Sequence, residues 1–441
     1  MTFLLSILMA PAAWAYPSGL GVPVIGGGLS GPAESGAPGL ATNPAAARGS
    51  RPEFLVDLAM VSFGYGYTVA EEPEQSGNSI DPVPFLAAAL PLGDFGIGVA
   101  LMVPYGRGGE GDPEGPFRYH TVRGSMLVGE ADLSLAYAPE DWIRVGVGIR
   151  AAKALYTSYK KLDTGTTLYA LLGEEANVPF GDPFLEGSRE VVDASGNSLG
   201  YSVGLQLERN GFALGLGYRS PLVVELSGDV ILIPSEDLAI ELLAQLDGTF
   251  TFPAEVSLAI RAPLGPVNLL GEVAWIDWSA AAETPSTLVD LTVQSGDEEL
   301  QLFLDLYGLS DPALLGSVES VGVTGYQDVV LGGLAVEVPI GEVWEARTGV
   351  WLYPGAIQED YVFPGNQDYN MLEWRSVVSR RLKDWGQVAL TVDKMFAQDR
   401  TVENSVLDPT NDASLAPNLP TANGTYWLRM WRAGLTTRVF F

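Results

Sequence analysis

Apolar residues recur at every second position in many segments of the chain. In residues 143–150, isoleucine and valine alternate with arginine and glycine, and similar alternation occurs in 130–137, 256–261 and 388–393. This period of two predicts β-strands whose apolar side chains share one face. In a soluble sandwich that face would lie in the core, whereas in a transmembrane barrel it would face lipid. Alternation alone does not distinguish these two folds.

The spacing of the predicted strands favours the barrel. About fourteen strands are predicted from the alternation. They begin near Glu53, Pro82, Asp94, Ser125, Trp142, Leu199, Gly211, Gly248, Gly265, Gly325, Glu342, Asn370, Gly386 and Gly424. Short turns alternate with long connections, which include 105–124, 158–198, 230–247, 279–324 and 398–423. This arrangement is typical of bacterial outer-membrane barrels. We therefore predict an all-β fold: a transmembrane antiparallel β-barrel over residues 53–441, with long extracellular loops, in the outer membrane of a Gram-negative cell.

The N-terminal residues fall into two further regions. Residues 1–15 are apolar and end in Ala13-Trp14-Ala15, the small-x-small pattern of a signal-peptidase site, so we predict a signal peptide there. The stretch carries no Lys or Arg, which is atypical of a signal peptide. The alternative is a buried apolar strand. Residues 16–52 are rich in Gly, Pro and Ala and show neither helical nor strand periodicity. We predict that they form a hatch that plugs the barrel.

Composition and charge exclude several function classes. The net charge is -30, which disfavours nucleic acid as a partner, and the absence of cysteine excludes disulfides and thiolate metal sites. Residues 200–204 match the hydrolase pattern G-x-S-x-G, but they lie in a predicted strand, and the one histidine, His120, precedes them. We expect no catalytic residues, no metal and no cofactor.

Four short motifs, in this order along the chain, resemble those of FadL/TodX-type outer-membrane transporters. They are Asn43-Pro44-Ala45 in the predicted hatch, Tyr218-Arg219-Ser220, Trp275-x-x-Trp278-Ser279, and Arg347-Thr348-Gly349 followed by Pro354, Pro364 and Asp368. The C-terminal Phe441 also resembles the signal that the outer-membrane assembly machinery reads. The family takes up long-chain fatty acids or aromatic hydrocarbons.

The resemblance implies a fourteen-stranded barrel that binds a hydrophobic molecule in an external groove, transfers it to an inner pocket and releases it sideways at a kink in the third strand. Pro104, Tyr105 and Gly106 stand where that kink would form, because proline cannot donate to a sheet and glycine allows a bend. Alternatively, the third strand simply ends there. A polar-solute porin and a barrel-type hydrolase are the rival functions.

We assign the external groove to two predicted amphipathic helices, at 235–247 and 298–309. Its residues are Leu238, Leu242, Leu243, Leu246, Leu302 and Phe303. Alternatively, these faces pack on each other. Lys160, Lys161 and Arg150 are the candidate contacts for a ligand carboxylate, although inward arginines could instead pair with acids such as Glu130. Anionic and neutral ligands both remain open. The expected partners are the hydrophobic substrate, outer-membrane lipid and lipopolysaccharide, and the assembly machinery, and the chain is expected to be a monomer.

Overall fold

The computed structural model describes residues 31–69, 74–163, 186–235, 239–408 and 421–441. The predicted signal peptide and the first part of the predicted hatch, residues 16–30, lie outside this range, as does Leu238. No helix in the described ranges is long and apolar enough to cross a membrane.

Fourteen antiparallel strands form a closed ring, as the alternation and the loop pattern predict. In ring order they are β1 (Glu53–Thr68), β2 (Gln75–Leu92), β3 (Phe95–Glu110), β4 (Arg123–Glu140), β5 (Ile143–Asp163), β6 (Glu186–Arg209), β7 (Phe212–Arg219), β10 (Glu255–Leu264), β11 (Val267–Ile276), β14 (Val329–Ile340), β15 (Trp344–Tyr353), β16 (Met371–Leu382), β17 (Gly386–Ala397) and β19 (Gly424–Phe440). Pairing of β1 with β19 from Glu53–Phe440 to Thr68–Thr425 closes the ring. The barrel prediction is therefore confirmed.

Side chains alternate between the two faces of the barrel wall. On β1, Phe54 and Leu58 are exposed on the outside, whereas Leu55, Asp57 and Ala59 are buried on the inside. The exposed set is apolar in most strands, and charged residues are mostly confined to the inner face. An apolar outer band with a polar interior is the arrangement that a bilayer requires.

One rim of the barrel consists of short turns. Gly93, Gly265 and Gly341 occupy positive φ angles of 61°, 60° and 65° there, which glycine adopts without steric cost. The turn between β6 and β7 uses Asn210 and Gly211, with φ angles of 55° and 81°. Two positive φ angles in succession are typical of the tightest hairpin turns. The predicted short-turn rim is confirmed.

The opposite rim carries an extension of the same sheet, which branches from β6 and which the sequence does not predict. The outer part of β6 pairs with β8 (Leu222–Ile233), which continues to β9 (Ile240–Phe252), β12 (Glu283–Ser295) and β13 (Val318–Val323). The main buried apolar cluster contains residues of β8, β9 and β12 together with residues of the outer half of the barrel strands. A short strand, β18 (Arg400–Val402), pairs with β19.

The predicted helix over 235–247 is wrong, because the described residues from 240 onwards form strand β9. Ile240, Leu242, Ala244 and Leu246 also fit a period of two, and β8 and β12 supply paired neighbours on both sides. The second predicted helix is confirmed as α1 (Glu298–Leu306), which begins after Asp297, whose side chain accepts bonds from the first backbone amides. A short helix, α2 (Pro312–Leu315), follows.

We expect Leu135→Arg to lower the free energy of unfolding by about 2–4 kcal/mol, because an arginine would face lipid near the middle of the apolar band. Leu135 is half exposed on the outer wall and pairs with Ile97 and Val147, which also face outward. The control is Thr157→Arg above the band, which should change stability by about 1 kcal/mol or less. Equilibrium guanidinium unfolding in phospholipid vesicles measures both. Equal losses would contradict the assigned position of the band.

Candidate functional site

The N-terminal segment, residues 31–52, packs against the inner face of the barrel. It forms three short 3-10 helices, Gly31–Ala33, Ala37–Ala41 and Pro44–Ala47, and almost all of their residues are buried. Proline stands at the beginning of the second and third helices, where its missing N–H has no helical partner to lose. Small side chains allow these turns to approach the wall closely.

Asn43 joins the N-terminal segment to two barrel strands. Its side-chain amide donates to the carbonyl oxygens of Pro32 at 2.8 Å, Leu205 on β6 at 3.1 Å and Leu216 on β7 at 3.3 Å. Its side-chain oxygen accepts from the Ala45 amide at 2.9 Å and so caps the third turn. The fully buried carboxamide therefore needs both its donor and its acceptor. This explains physically the Asn43-Pro44-Ala45 motif.

Inward-facing glycines make room for the segment. A Cβ atom added to Gly146 would collide with the Ala45 backbone, one on Gly204 with the Asn43 carboxamide, and one on Gly215 with Pro32. The sequence analysis did not predict these close approaches. The glycines that alternate with apolar residues in 143–150 could have indicated them, because glycine in a strand often marks a close approach of another backbone.

Two arginines anchor the same region from the side farther from the short-turn rim. Arg150 bonds Glu130 through two nitrogens at 2.9 and 2.7 Å and donates to the Ser220 carbonyl at 2.6 Å. Arg219 also bonds Glu130 and donates to the Ala41 carbonyl of the N-terminal segment. All three charged groups are buried, so each charge is compensated by a partner. Arg150 thus pairs with an acid, which is the alternative that the sequence left open.

The barrel wall has a gap between β2 and β3. These strands pair from Leu92–Phe95 only as far as Phe85–Met102, and above that level β2 pairs with β1 alone. On its other side β3 continues to pair with β4, with a register shift between Met102 and Tyr105. Pro104, which has no N–H to donate, lies at this shift.

A cavity of about 900 Å³ occupies the gap and continues into the barrel. Its lining from β2 and β3 includes Asn78, Pro82, Val103, Gly106 and Gly108. Its inner wall is formed by aromatic and apolar residues, namely Phe63, Tyr65, Met126, Tyr369, Met371 and Leu428. A chamber of this size, mostly apolar and open through the wall, can hold a small hydrophobic molecule.

The side chain of Tyr105 stacks on Phe252 at 4.8 Å between ring centroids and meets Trp278 edge-on at 6.2 Å. Of the three predicted kink residues, Gly106 is the one that lines the cavity. Pro104 is buried beside it. The aromatic contact holds the bulged part of β3 against the outer part of the barrel core.

The loop after β15 closes the inner wall of the cavity through Asp368. This buried carboxylate accepts bonds from the backbone amides of Ala356, of Ile357 at 3.0 Å and of Tyr369 at 2.7 Å. Burial raises the pKa of Asp368 to about 6, although these amides and Arg400 act in the opposite direction. The carboxylate thereby holds Tyr369 at the cavity. This gives a physical reason for the proline- and aspartate-containing motif after β15.

The predicted groove residues do not lie on two facing helices. Leu242, Leu243 and Leu246 belong to β9, where Leu246 is buried and Leu242 packs against the main core. Leu302 and Phe303 lie on α1 and are 70% and 49% exposed. Their role in binding a ligand stays a prediction.

The predicted cations Lys160 and Lys161 lie near the outer end of β5, above the apolar band. Lys161 lies 3.6 Å from the Glu186 carboxylate. Lys160 is buried and pairs in register with Arg189 of β6. Burial, and secondarily the positive charge of Arg189, lowers the pKa of Lys160 to about 7. His120 stacks on Phe117 at a centroid distance of 6.1 Å in the loop before β4.

A closed fourteen-stranded barrel with an apolar outer face and an ion-paired interior defines a transmembrane outer-membrane β-barrel. The chain belongs to the outer membrane protein transport protein family (OMPP1/FadL/TodX), whose model matches residues 22–359. It is therefore a transport protein of the Gram-negative outer membrane and not an enzyme. The resemblance inferred from the motifs is confirmed.

Solved structures share this fold at low sequence identity. A Pseudomonas aeruginosa FadL homologue is similar with a TM-score of 0.73 and 16% identity, covering 97% of this chain and 99% of that one. The Pseudomonas putida toluene transporter TodX gives a TM-score of 0.70 and 14% identity, covering 97% and 99%. The Ralstonia pickettii toluene transporter TbuX gives a TM-score of 0.64 and 16% identity, covering 96% of this chain and 99% of that one. No curated protein matches the chain by sequence.

We expect Asn43→Ala to loosen the N-terminal segment, because the substitution removes four hydrogen bonds at a buried position. The chain has no cysteine, so Thr42→Cys provides a single buried thiol. The rate of its maleimide labelling should rise by about tenfold or more in the Asn43→Ala background.

The control is Thr401→Cys on β18, an exposed position outside the cavity lining, whose labelling rate should not depend on residue 43. An unchanged rate for Thr42→Cys would mean that Asn43 does not hold the segment in place.

Proposed function

We propose that this protein takes up hydrophobic molecules through the outer membrane and releases them sideways into the bilayer through the gap between β2 and β3. One observation carries the proposal: an apolar cavity of about 900 Å³ lies where the pairing of the two strands stops. Pro104 to Gly106 are the residues of β3 at which the strand departs from β2. The N-terminal segment is the hatch that blocks the direct route along the barrel axis.

Lateral release is favoured by the energetics of apolar solutes. A molecule that passes from the cavity to lipid never crosses water, so it retains about 0.8 kcal/mol of transfer free energy for each buried CH₂ group. A polar-solute porin would need an open axial path instead. The buried 3-10 turns and the bond network of Asn43 argue against such a path.

The charges around the cavity favour a neutral substrate. Among the residues that the structure describes, its lining includes the acidic residues Asp81, Glu110 and Asp368 and the basic residue Arg123, which pairs with Glu190. Arg150 is bonded to Glu130, and Lys161 lies beside Glu186. Two of the three predicted cations, Arg150 and Lys161, therefore have acidic partners or neighbours of their own, and a ligand carboxylate would meet negative charge at the cavity. The solved relatives TodX and TbuX are toluene transporters. A small aromatic hydrocarbon is accordingly the preferred substrate class.

Uptake by cells with and without the protein tests this function. We expect protein-dependent uptake of toluene, weaker uptake of a long-chain fatty acid, and none of a small sugar. Dominant uptake of the fatty acid would overturn the preference for neutral substrates and leave the hydrophobic route intact. Dominant uptake of the sugar would contradict the hydrophobic route itself.

We expect Gly108→Phe to reduce toluene uptake several-fold, because the new ring would project into the cavity at the gap. An added Cβ at Gly108 meets its nearest atom, the Gly124 carbonyl oxygen, at 3.4 Å, so the backbone accepts a side chain. The control is Thr401→Phe on β18, an exposed position outside the cavity lining. Retained uptake in Gly108→Phe, with both variants folded, would mean that the gap is not the route.

We expect toluene uptake to stay constant between pH 6 and pH 8. Lys160 loses its positive charge as the pH rises through about 7, so a route that used its ammonium to hold a carboxylate would work better at pH 6 than at pH 8. Lys160→Met removes the charge at every pH and should leave toluene uptake unchanged. Fatty-acid uptake that falls between pH 6 and 8 in the native protein, but is flat in the variant, would establish Lys160 as a carboxylate contact.

A further inference from the structure

A groove on the outer wall of the barrel lies next to the gap. Its volume is about 510 Å³, and its lining includes Leu86, Leu101, Gly129, Ala131 and Ala151. The last three stand on the outward face of β4 and β5, where their neighbours along the same strands are large apolar residues. Small residues in a row of large ones create a trough wide enough for a hydrocarbon chain. Val103 lines both this groove and the cavity in the gap.

Polar side chains stand at one end of the groove. Lys153 and Asn197 are register partners on β5 and β6, and both point outward and are exposed. Lys153 makes no ion pair with any residue that the structure describes, and Leu155 follows it at the next outward position. A cation on a lipid-facing surface needs an anion from outside the protein or must extend towards the headgroups.

The height of Lys153 matches the outer headgroup level. Strand β5 leaves the short-turn rim at Ile143, and Lys153 follows about ten residues later. With a rise of about 3.3 Å per residue and a tilt of about 40°, this places Lys153 about 25 Å above that rim. The apolar band of such barrels is also about 25 Å tall. Lys153 therefore meets the phosphates of the outer leaflet. Gly129 is its register partner on β4, and Ala131 and Ala151 lie one outward position closer to the short-turn rim, at the level of the first acyl carbons.

We propose that this groove binds one phosphate-bearing lipid of the outer leaflet, with the phosphate at Lys153 and Asn197 and an acyl chain between Gly129, Ala131 and Ala151. The positive charge of Lys153 complements the phosphate, and the apolar trough complements the chain. The bound lipid covers the wall beside Val103 at the edge of the gap. A substrate that leaves the gap would then meet this lipid first. The proposal concerns binding alone and stands whether or not the transport route is correct.

The experiment measures retention of diphosphorylated lipid A on the purified, folded full chain by native mass spectrometry in nonionic detergent. We expect Lys153→Gln to weaken binding about fivefold, which is the contribution of one lysine near a charged lipid surface. The matched control is Lys394→Gln on β17, a lysine that lies between Trp374 and Trp431 on the outer wall. The control should bind lipid A as the native chain does.

A second variant tests the part of the groove that is proposed to hold the acyl chain of the lipid. A Cβ added to Gly129 meets no atom within 4 Å, so Gly129→Leu fits the wall and fills the groove. Gly129 is the register partner of Lys153, so the leucine also crowds the lysine while leaving its charge in place. We expect the variant to weaken lipid A binding several-fold. Heat-modifiable gel migration verifies that each variant is folded.

Three results would overturn the proposal. Equal losses in the Lys153 and Lys394 variants would mean that lipid A is attracted by charge without a site. Equal affinity for dephosphorylated lipid A would mean that the phosphate is not recognised. Unchanged lipid A binding in Gly129→Leu would mean that the groove does not hold the lipid.

Discussion

Backbone hydrogen bonding in hydrocarbon is the constraint on which this structure depends. Lipid offers no partner to an amide or a carbonyl group, so every strand that crosses the membrane needs a neighbour on each side. Closure of β1 on β19 meets this requirement for the ring as a whole. The gap between β2 and β3 is the place where the requirement is relaxed, and Pro104 reduces the cost because its nitrogen carries no proton. A break in pairing at membrane depth is costly, and this favours a functional interpretation.

The interior follows from the same closure. A fourteen-stranded ring encloses more space than its own side chains fill, so the N-terminal segment occupies the lumen with small residues and tight turns. Glycines on the inner face bring the two backbones together, and Asn43 and Arg219 connect them by hydrogen bonds. Because these contacts are polar and buried, they specify one position of the segment. The wall and the segment therefore depend on each other.

Much of the fold could be predicted from the sequence because the barrel depends on local patterns. Alternation, turn glycines and the order of short and long connections are all visible along the chain, and they gave the strand number. The outer extension of the sheet could not be predicted in this way, because the residues from 240 to 246 fit a strand and a helix equally well and their paired neighbours decide between them. At the site, Pro104 and Gly106 were visible as breakers of a strand. The cavity was not, since its wall combines residues of β1, β2, β3 and the loop around Asp368, which are far apart in the chain.

Reversible closure of the gap tests lateral release most directly. Asn78→Cys on β2 and Gly108→Cys on β3 line the cavity from opposite sides of the gap, in a chain that has no other cysteine. A reducible bis-maleimide that joins them should abolish toluene uptake, and cleavage of the linker should restore part of it. The linker attached to either single-cysteine chain should reduce uptake less than the cross-link does. Normal uptake in the cross-linked protein would contradict release between β2 and β3.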